Sequence, residues 1–335
     1  MQPTHAERWD GLGQIPSDLG PTVVTIGNFD GVHRGHHAVL ATVAETARSQ
    51  GLTSVAITFE PHPVAFLFPE RAPQPLSTVA HKVELLGEIG IDAVLVQSFT
   101  HELAQMSPRE YAEQVLAGAL HAKVIVVGRD MRFGHRNSGD VGTLRELGAE
   151  LGFDVHVVPD LGRSGQDRRL SSTWARELIR SGDVAAAAEV LGRPHRVTGE
   201  VVHGDHRGRE LGYPTANLGP QIVEAIPADG VYAGWLVVVD GGPGARPGER
   251  WPAAISIGTN PTFNGTSRRV EAYVLDRTGL DLYGRTVALE FAERLRPTLK
   301  FDGVAALVEQ MDQDVAAARR LVGARAGAGR GSDHV

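Results

Sequence analysis

Cysteine is absent from all 335 residues, which excludes a disulfide framework and any thiolate metal site. Lysine is almost absent too. Of 33 basic residues only Lys82, Lys123 and Lys300 are lysine. No G-x-x-x-x-G-K-[ST] string occurs, so a P-loop is excluded, and G-x-G-x-x-G is missing as well. Phosphates, if bound, are bound by another route. No apolar run approaches membrane length. Met1–Gly20 is polar and lacks an apolar signal core, so a cytoplasmic location without membrane attachment is expected. The net charge of −7 and the pI of about 6.1 argue against a dedicated nucleic-acid binder. The length leaves room for two domains with sizeable cores.

What is present centres on Val23–His37, VVTIGNFDGVHRGHH. A β-branched run reads as a buried strand. Gly27-Asn28-Phe29-Asp30-Gly31 breaks it with turn chemistry. Val39, Leu40, Val43, Ala44 and Ala47 then follow at helical spacing. His33 and His36 therefore sit where a strand turns into a helix start, on one face of the first turn. Such a turn has unpaired N–H groups and partial positive charge, and it collects phosphates. Two imidazoles there suit charge growing at an α-phosphate, and Gly35 is expected to let a nucleotide approach the backbone. A lone histidine at this place would be an ordinary surface residue. The G-x-F-D-G-x-H-x-G-H string resembles the HxGH signature of the nucleotidyltransferase superfamily, whose members attack a nucleoside triphosphate at the α-phosphate and release pyrophosphate.

The first half alternates apolar runs (Thr22–Ile26, Ser54–Phe59, Ala93–Gln97, Val124–Gly128, Val155–Val158) with helical patterns (His36–Gln50, Thr78–Ile89, Pro108–Leu120, Thr143–Leu151). The runs lack alternation, as strands buried on both faces do. The expected fold is a doubly wound parallel sheet of about five strands, with ligands at the strands' carboxyl ends. Three further stretches reach that edge. They are Thr58–Pro63, Gly128–Gly134 and Ser171–Arg176. Ser172, Thr173 and Arg176 fit a phosphate cradle, although the hydroxyls alone would read as N-caps. Asp130 fits a ribose or purine edge, or simply a closed turn. Phe66, Phe68 and Phe133 fit stacking on an aromatic ligand or ordinary core packing.

Asp183–Leu191 reads as a short helix capped by Asp183 and stopped by Gly192 and Pro194, and the pattern changes near residue 190. From Arg196 the signal is β. Runs at Val197–His203, Val231–Asp240, Ala253–Gly258, Val270–Leu275 and Thr286–Phe291, parted by Gly/Pro-rich turns, suggest a small antiparallel barrel. A long terminal helix is expected over Phe301–Leu321, begun by Asp302, and a disordered tail over 323–335. The chemistry lies in His203–Asn217. Gly204, Gly208 and Gly212 allow backbone to wrap phosphates, Arg207 and Arg209 add charge, and Thr215 and Asn217 offer oxygens that Mg²⁺ accepts alongside nucleotide phosphates. A kinase acting on an alcohol benefits from a nearby carboxylate. In the alternating strand Val270–Val274, Glu271 and Tyr273 share a face. Glu290 is the rival.

The ordered motifs HxGH, TFxPHP, VGxDxRFG and SSTxxR, followed by GxxRGRxLGxPTAN, PADGVYAGW, SIGTNPTF, VEAYVLD and DLYG, resemble the prokaryotic bifunctional riboflavin kinase/FAD synthetases over about residues 20 to 320. The resemblance implies an FMN adenylyltransferase domain at 20–190 and a riboflavin kinase domain at 191–322. In the first, AMP passes from ATP to FMN. Gly27, Phe29, Asp30, His33, His36, Asp130, Phe133, Ser172, Thr173 and Arg176 match its motifs, with Asn28 and Gly35 in the same turn. Charge stabilisation would come from the two histidines and a metal. In the second, Thr215 and Asn217 would hold Mg²⁺ and ATP, and Glu271 would act as base on the riboflavin 5′-hydroxyl. Phe66, Phe133, Asn260 and Tyr273 would contact flavin. Two departures stand out. Met131 replaces a common aromatic, and Leu67 lies between two phenylalanines. The other readings are a nucleotidyltransferase with a different acceptor, such as a cytidylyltransferase, and a non-enzymatic flavin-binding protein. An RNA-binding role is disfavoured by the acidic balance.

Overall fold

Thr22 to Thr25 are all buried, so β2 (Thr22–Ile26) meets apolar neighbours on both faces and shows no period of two. The computed structural model describes residues 5–159, 168–204, 212–241, 245–262, 265–277 and 279–323, excluding the side chains of 260–267. Chain contacts divide it into two units, Met1–Pro73 with Val79–Ser171, and Gln74–Thr78 with Ser172–Val335.

The first unit holds a six-stranded sheet of β1 (Glu7–Asp10), β2, β3 (Thr53–Glu60), β4 (Ala93–Ser98), β5 (Ala122–Gly128) and β6 (Asp154–Val158), in the order β1-β4-β3-β2-β5-β6. Every neighbouring pair is parallel. The edge strand β1 was not legible, because only Trp9 of its four residues is buried. The connecting helices are α1 (Arg34–Gln50), α2 (Pro63–Leu67), α3 (Val79–Ile89), α4 (His101–Gln105), α5 (Pro108–Tyr111) and α6 (Val141–Leu151). The capping box of Ser107 and Glu110 opens α5, which runs on as π-type turns over Ala112–Ala119. From β2 the chain winds outward through β3 and β4, then returns to place β5 on the other side of β2. The strand order therefore reverses between β2 and β5, and a crevice at their carboxyl ends is the expected ligand site. Both strands lead there into stretches singled out by sequence, Gly27–His36 and Gly128–Gly134.

The second unit begins with α7 (Ser172–Ser181) and α8 (Val184–Leu191), the latter capped by Asp183 and closed by left-handed Gly192. A closed barrel follows, made of β7 (His195–Val202), β8 (Ala216–Leu218), β9 (Gly230–Val238), β10 (Arg250–Thr262), β11 (Gly265–Val274) and β12 (Thr286–Arg296), ordered β10-β11-β8-β7-β12-β9. The three-residue β8 is too short for a periodic signal, yet it joins β7 to β11. The terminal helix α9 spans Val304–Ala318 and runs on as π-type turns over Arg319–Gly323, so it starts later than expected and reaches the expected end. Its N-cap is Gly303 in extended backbone, so Asp302 does not begin it. Ala318 and Val322 pack with Ala233, Trp235 and Leu275, and Arg296 grips Asp314 through a bidentate ion pair at 2.7–3.0 Å. Of the expected tail, 324–335 lie outside the described residues.

Inside the barrel, His195 is 1% exposed. Its Nε2–H donates to the Ala225 carbonyl at 2.6 Å, and its Nδ1 is buried without a hydrogen-bond partner. Burial pushes its pKa down to about 4 from 6.5. The folded state therefore refuses a proton that the unfolded chain accepts. Stability from this residue is full above pH 6.5 and is lost as pH falls towards 4, about 3 kcal/mol in total. Glu224, whose carboxyl burial raises, works in the opposite sense. In denaturant titrations, His195→Leu is expected to flatten the stability loss between pH 6.5 and 4. An unchanged slope would refute the assignment.

Candidate active sites

The turn after β2 is held in backbone that most side chains avoid. Phe29 and Val32 have φ of 45° and 38° and are 4% and 0% exposed, so packing imposes the strain. Gly27 is required there, since a Cβ would lie 2.8 Å from the Phe29 ring. His33 is the N-cap of α1, and its Nδ1 accepts from the Gly35 N–H at 3.1 Å. In the neutral ring the proton is therefore on Nε2. His36, in the first turn, stacks on His33 with centroids 3.7 Å apart and meets Phe29 edge-on at 5.3 Å. The space over Gly35 was expected to admit nucleotide. It is filled by the His33 ring, which a Cβ would approach to 2.9 Å. The His36 Nδ1 is buried without a hydrogen-bond partner. Burial first, then the positive fields of His33, His37, Lys82 and Arg169, hold its pKa well below the ordinary value. The uncharged form of His36 is thus favoured in the first turn of α1, at the positive end of the helix.

Asp30 is buried beside them, and Asn28 contributes its carbonyl, which accepts from Thr58 Oγ1 at 3.0 Å. Thr58 Oγ1 in turn accepts from Lys82 Nζ at 3.0 Å. Lys82 was not singled out by sequence. The scarcity of lysine was the available signal. Asp130, after β5, is exposed and pairs with Arg169 at 2.8 Å. Phe133 is buried against Tyr111 and Gly139. Phe66 is half-buried and meets Phe99 and His101 edge-on, whereas Leu67 and Phe68 are exposed. Ser172 and Thr173 open α7 in the second unit, and Arg176 Nε donates to the Gln74 carbonyl at 2.7 Å.

In the barrel, β8 and β11 put Asn217 and Glu271 in register. Asn217 Nδ2 donates to Thr215 O and Oγ1, both at 3.2 Å, and the Thr215 hydroxyl points at Glu271 Oε2 at 3.5 Å. Gly204 is needed for this approach, because a Cβ there would fall 2.6 Å from the Asn217 amide. Gly212 turns the chain with φ of 87°. Tyr213 meets Tyr273 edge-on at 5.2 Å, and its hydroxyl donates to Asp312 of α9. That hydrogen bond is the main cause pushing the phenol up to about 12. Glu290 lies elsewhere, paired to Arg250 at 2.7 Å, whose guanidinium covers Trp235. Arg207, Gly208 and Arg209 lie outside the described residues, as does the side chain of Asn260. Among the described residues no group of three or more His, Cys, Asp or Glu gathers for a metal. The side-chain oxygens of Thr215 and Asn217 are hard donors that fit Mg²⁺ shared with nucleotide phosphates and water, with the Glu271 carboxylate beside them.

A family model described as FAD synthetase matches residues 15–174, and one described as riboflavin kinase matches residues 191–322. Curated relatives named bifunctional riboflavin kinase/FMN adenylyltransferase occur in several bacteria. The Escherichia coli (strain K12) protein is 35% identical over 312 residues, 93% of this chain and 96% of its own length. That of Pseudomonas fluorescens is 38% identical over 313 residues, with 93% and 96% covered. That of Bacillus subtilis (strain 168) is 32% identical over 305 residues, with 90% and 92% covered. A solved structure named Macrolide-efflux Protein from Streptococcus pneumoniae superposes with a TM-score of 0.81 at 30% identity, covering 94% of this chain and 99% of that one. No helix among the described residues is long and apolar enough to cross a membrane.

Proposed function

We propose, from the premise that the chain belongs to the bifunctional riboflavin kinase/FMN adenylyltransferase family and so carries riboflavin through FMN to FAD, a residue-level division of labour. The barrel performs the first step. Glu271 accepts the proton of the riboflavin 5′-hydroxyl, and the freed oxygen attacks the γ-phosphorus of ATP as ADP leaves. Thr215 and Asn217 hold the nucleotide's phosphates together with Mg²⁺, which supplies charge neutralisation at the transferring phosphoryl group. Tyr273 lines the flavin side, with Asn260, and the stretch containing Gly204, Arg207, Gly208, Arg209 and Gly212 wraps the phosphates.

The α/β unit performs the second step. The FMN phosphate attacks the α-phosphorus of a second ATP, and pyrophosphate leaves. No base is needed, because the nucleophile is already anionic. His33 and His36 donate to the α-phosphate oxygens at the amino end of α1, where developing negative charge is best met. Gly27, Asn28, Phe29, Asp30 and Gly35 shape that turn. Asp130 takes the nucleoside, Phe66 and Phe133 the flavin, and Ser172, Thr173 and Arg176 the phosphates. Consumption of ATP at both steps suits a cytoplasmic enzyme.

The observation supporting this reading is that the central residues of each motif set come together, a stacked His33–His36 pair in one unit and Glu271 opposite Asn217 in the other. Incubation of the full chain with riboflavin, Mg²⁺ and ATP, followed by chromatography of the flavins, is expected to give FMN first and FAD later. FMN that never becomes FAD would overturn the histidine assignment. Conversion of added FMN without any phosphorylation of riboflavin would overturn the Glu271 assignment.

A further inference from the structure

A buried lysine at the start of a helix is doubly disfavoured. Its ammonium loses water, and it faces the positive end of the helix dipole. Lys82 occupies such a place. It sits in the first turns of α3, is 6% exposed, and is one of only three lysines in the chain. Lys123 and Lys300 are exposed. Local rules broken this way mark positions retained for a purpose.

Its surroundings indicate the purpose. Thr58 has one hydroxyl proton, and that proton goes to the Asn28 carbonyl. The same oxygen must then accept from Lys82, so ammonium, hydroxyl and carbonyl form one oriented chain ending in the strained turn. Asp30 from that turn and Glu60 from the end of β3 act on the ammonium and offset part of its burial. His36 on α1 feels its field in return, together with those of His33, His37 and Arg169.

We propose that Lys82 is a positioning residue for adenylyl transfer. Its buried ammonium props the Asn28–Asp30 turn through Thr58 and supplies the fixed positive charge beside the histidine pair. It acts through Thr58, to which its ammonium donates. It offsets two carboxylates, Asp30 and Glu60, and adds its field to the burial and the His33 and His37 fields that favour the uncharged, hydrogen-bonding form of His36. This inference rests on the adenylyl-transfer reading given above.

The test uses the full chain as Lys82→Gln, which removes charge but retains a donor for Thr58, and Lys82→Arg, which keeps the charge. Two readouts are taken, the pH profile of FMN conversion to FAD, and the NMR titration of His36, assigned by the signal lost in His36→Gln. Lys82→Gln is expected to lower kcat for FAD formation about 10–100-fold, the usual cost of losing an outer partner, with KM for FMN unchanged. The His36 midpoint and the acid limb of the profile are expected to move to higher pH. Riboflavin phosphorylation is expected to stay at the parent rate, and Lys82→Arg to lie closer to parent in both readouts. An unmoved His36 midpoint, or parallel loss of both activities, would overturn the proposal. If the parent chain itself failed to convert FMN, the adenylyl-transfer reading would fall, while the His36 midpoint would still report whether Lys82 governs that pair.

Discussion

His33→Ala abolishes FAD formation from FMN and leaves FMN formation from riboflavin at the parent rate. Removing a donor aimed at developing charge typically costs about 10²–10³ in kcat, and here a second loss adds to it. Nδ1 of His33 caps α1 through the Gly35 N–H, so alanine also uncaps the helix, at about 1 kcal/mol. It further removes the ring on which His36 stacks. His33→Asn separates these roles, because asparagine is among the best N-caps and carries no imidazole. The asparagine variant is expected to melt close to the parent while remaining as deficient in FAD formation as alanine. If asparagine restored FAD formation, the histidine would be serving as a cap and the charge-stabilising role would be lost. Chromatographic assay of both flavin steps, beside a thermal melt, decides between them.

Glu271→Ala gives the mirror result, loss of riboflavin phosphorylation with FMN adenylylation intact. General-base contributions run at about 10²–10⁴. Glu271→Gln is the sharper variant, since it fits the same space opposite Asn217 and keeps a partner for the Thr215 hydroxyl. It is expected to retain ATP binding, read by equilibrium titration, while kcat for FMN formation falls at least 100-fold. Full activity in the glutamine variant would move the proton acceptor elsewhere. Glu290 is a poor replacement, committed as it is to Arg250 over the face of Trp235.

Much of this was legible in the chain, for reasons that differ by element. Strands β2 to β5 announced themselves because burial on both faces leaves near-continuous apolar runs, and α8 did so through Asp183 and Gly192, whereas β6 was read as a strand buried on both faces and is an edge strand with none of its residues buried. Strand β1 did not, since one buried tryptophan among four residues carries no period. Strand β8 hid inside the very motif that was read for chemistry, its three residues serving as structure and site together. The terminal helix began later than expected because Gly303, not Asp302, stands at its cap. At the candidate sites, motif spacing singled out His33, His36, Thr215, Asn217 and Glu271. What it missed depends on distant partners. Lys82 reaches Thr58 from 24 residues away, and Asp312 meets Tyr213 from 99 residues away. No local pattern encodes either pairing. The reason for Gly35 was also invisible, because it turns on where one neighbouring ring settles.

The five residues Gln74–Thr78 group with the barrel unit although α/β sequence flanks them on both sides. Pro75 offers its carbonyl to the Ala225 N–H, and Gln74 offers its own to Arg176. The polypeptide is thus laced, crossing from one unit to the other at three places rather than stitched at a single seam. A gene cut between Ser171 and Ser172 therefore does not yield two finished halves. The C-terminal fragment would lose the Pro75 carbonyl that the buried Ala225 N–H needs, a cost of about 1–3 kcal/mol, and the Gln74 carbonyl that Arg176 meets at the surface. Anyone wishing to transplant the riboflavin-phosphorylating half onto another protein must bring a short ribbon of its neighbour's sequence with it.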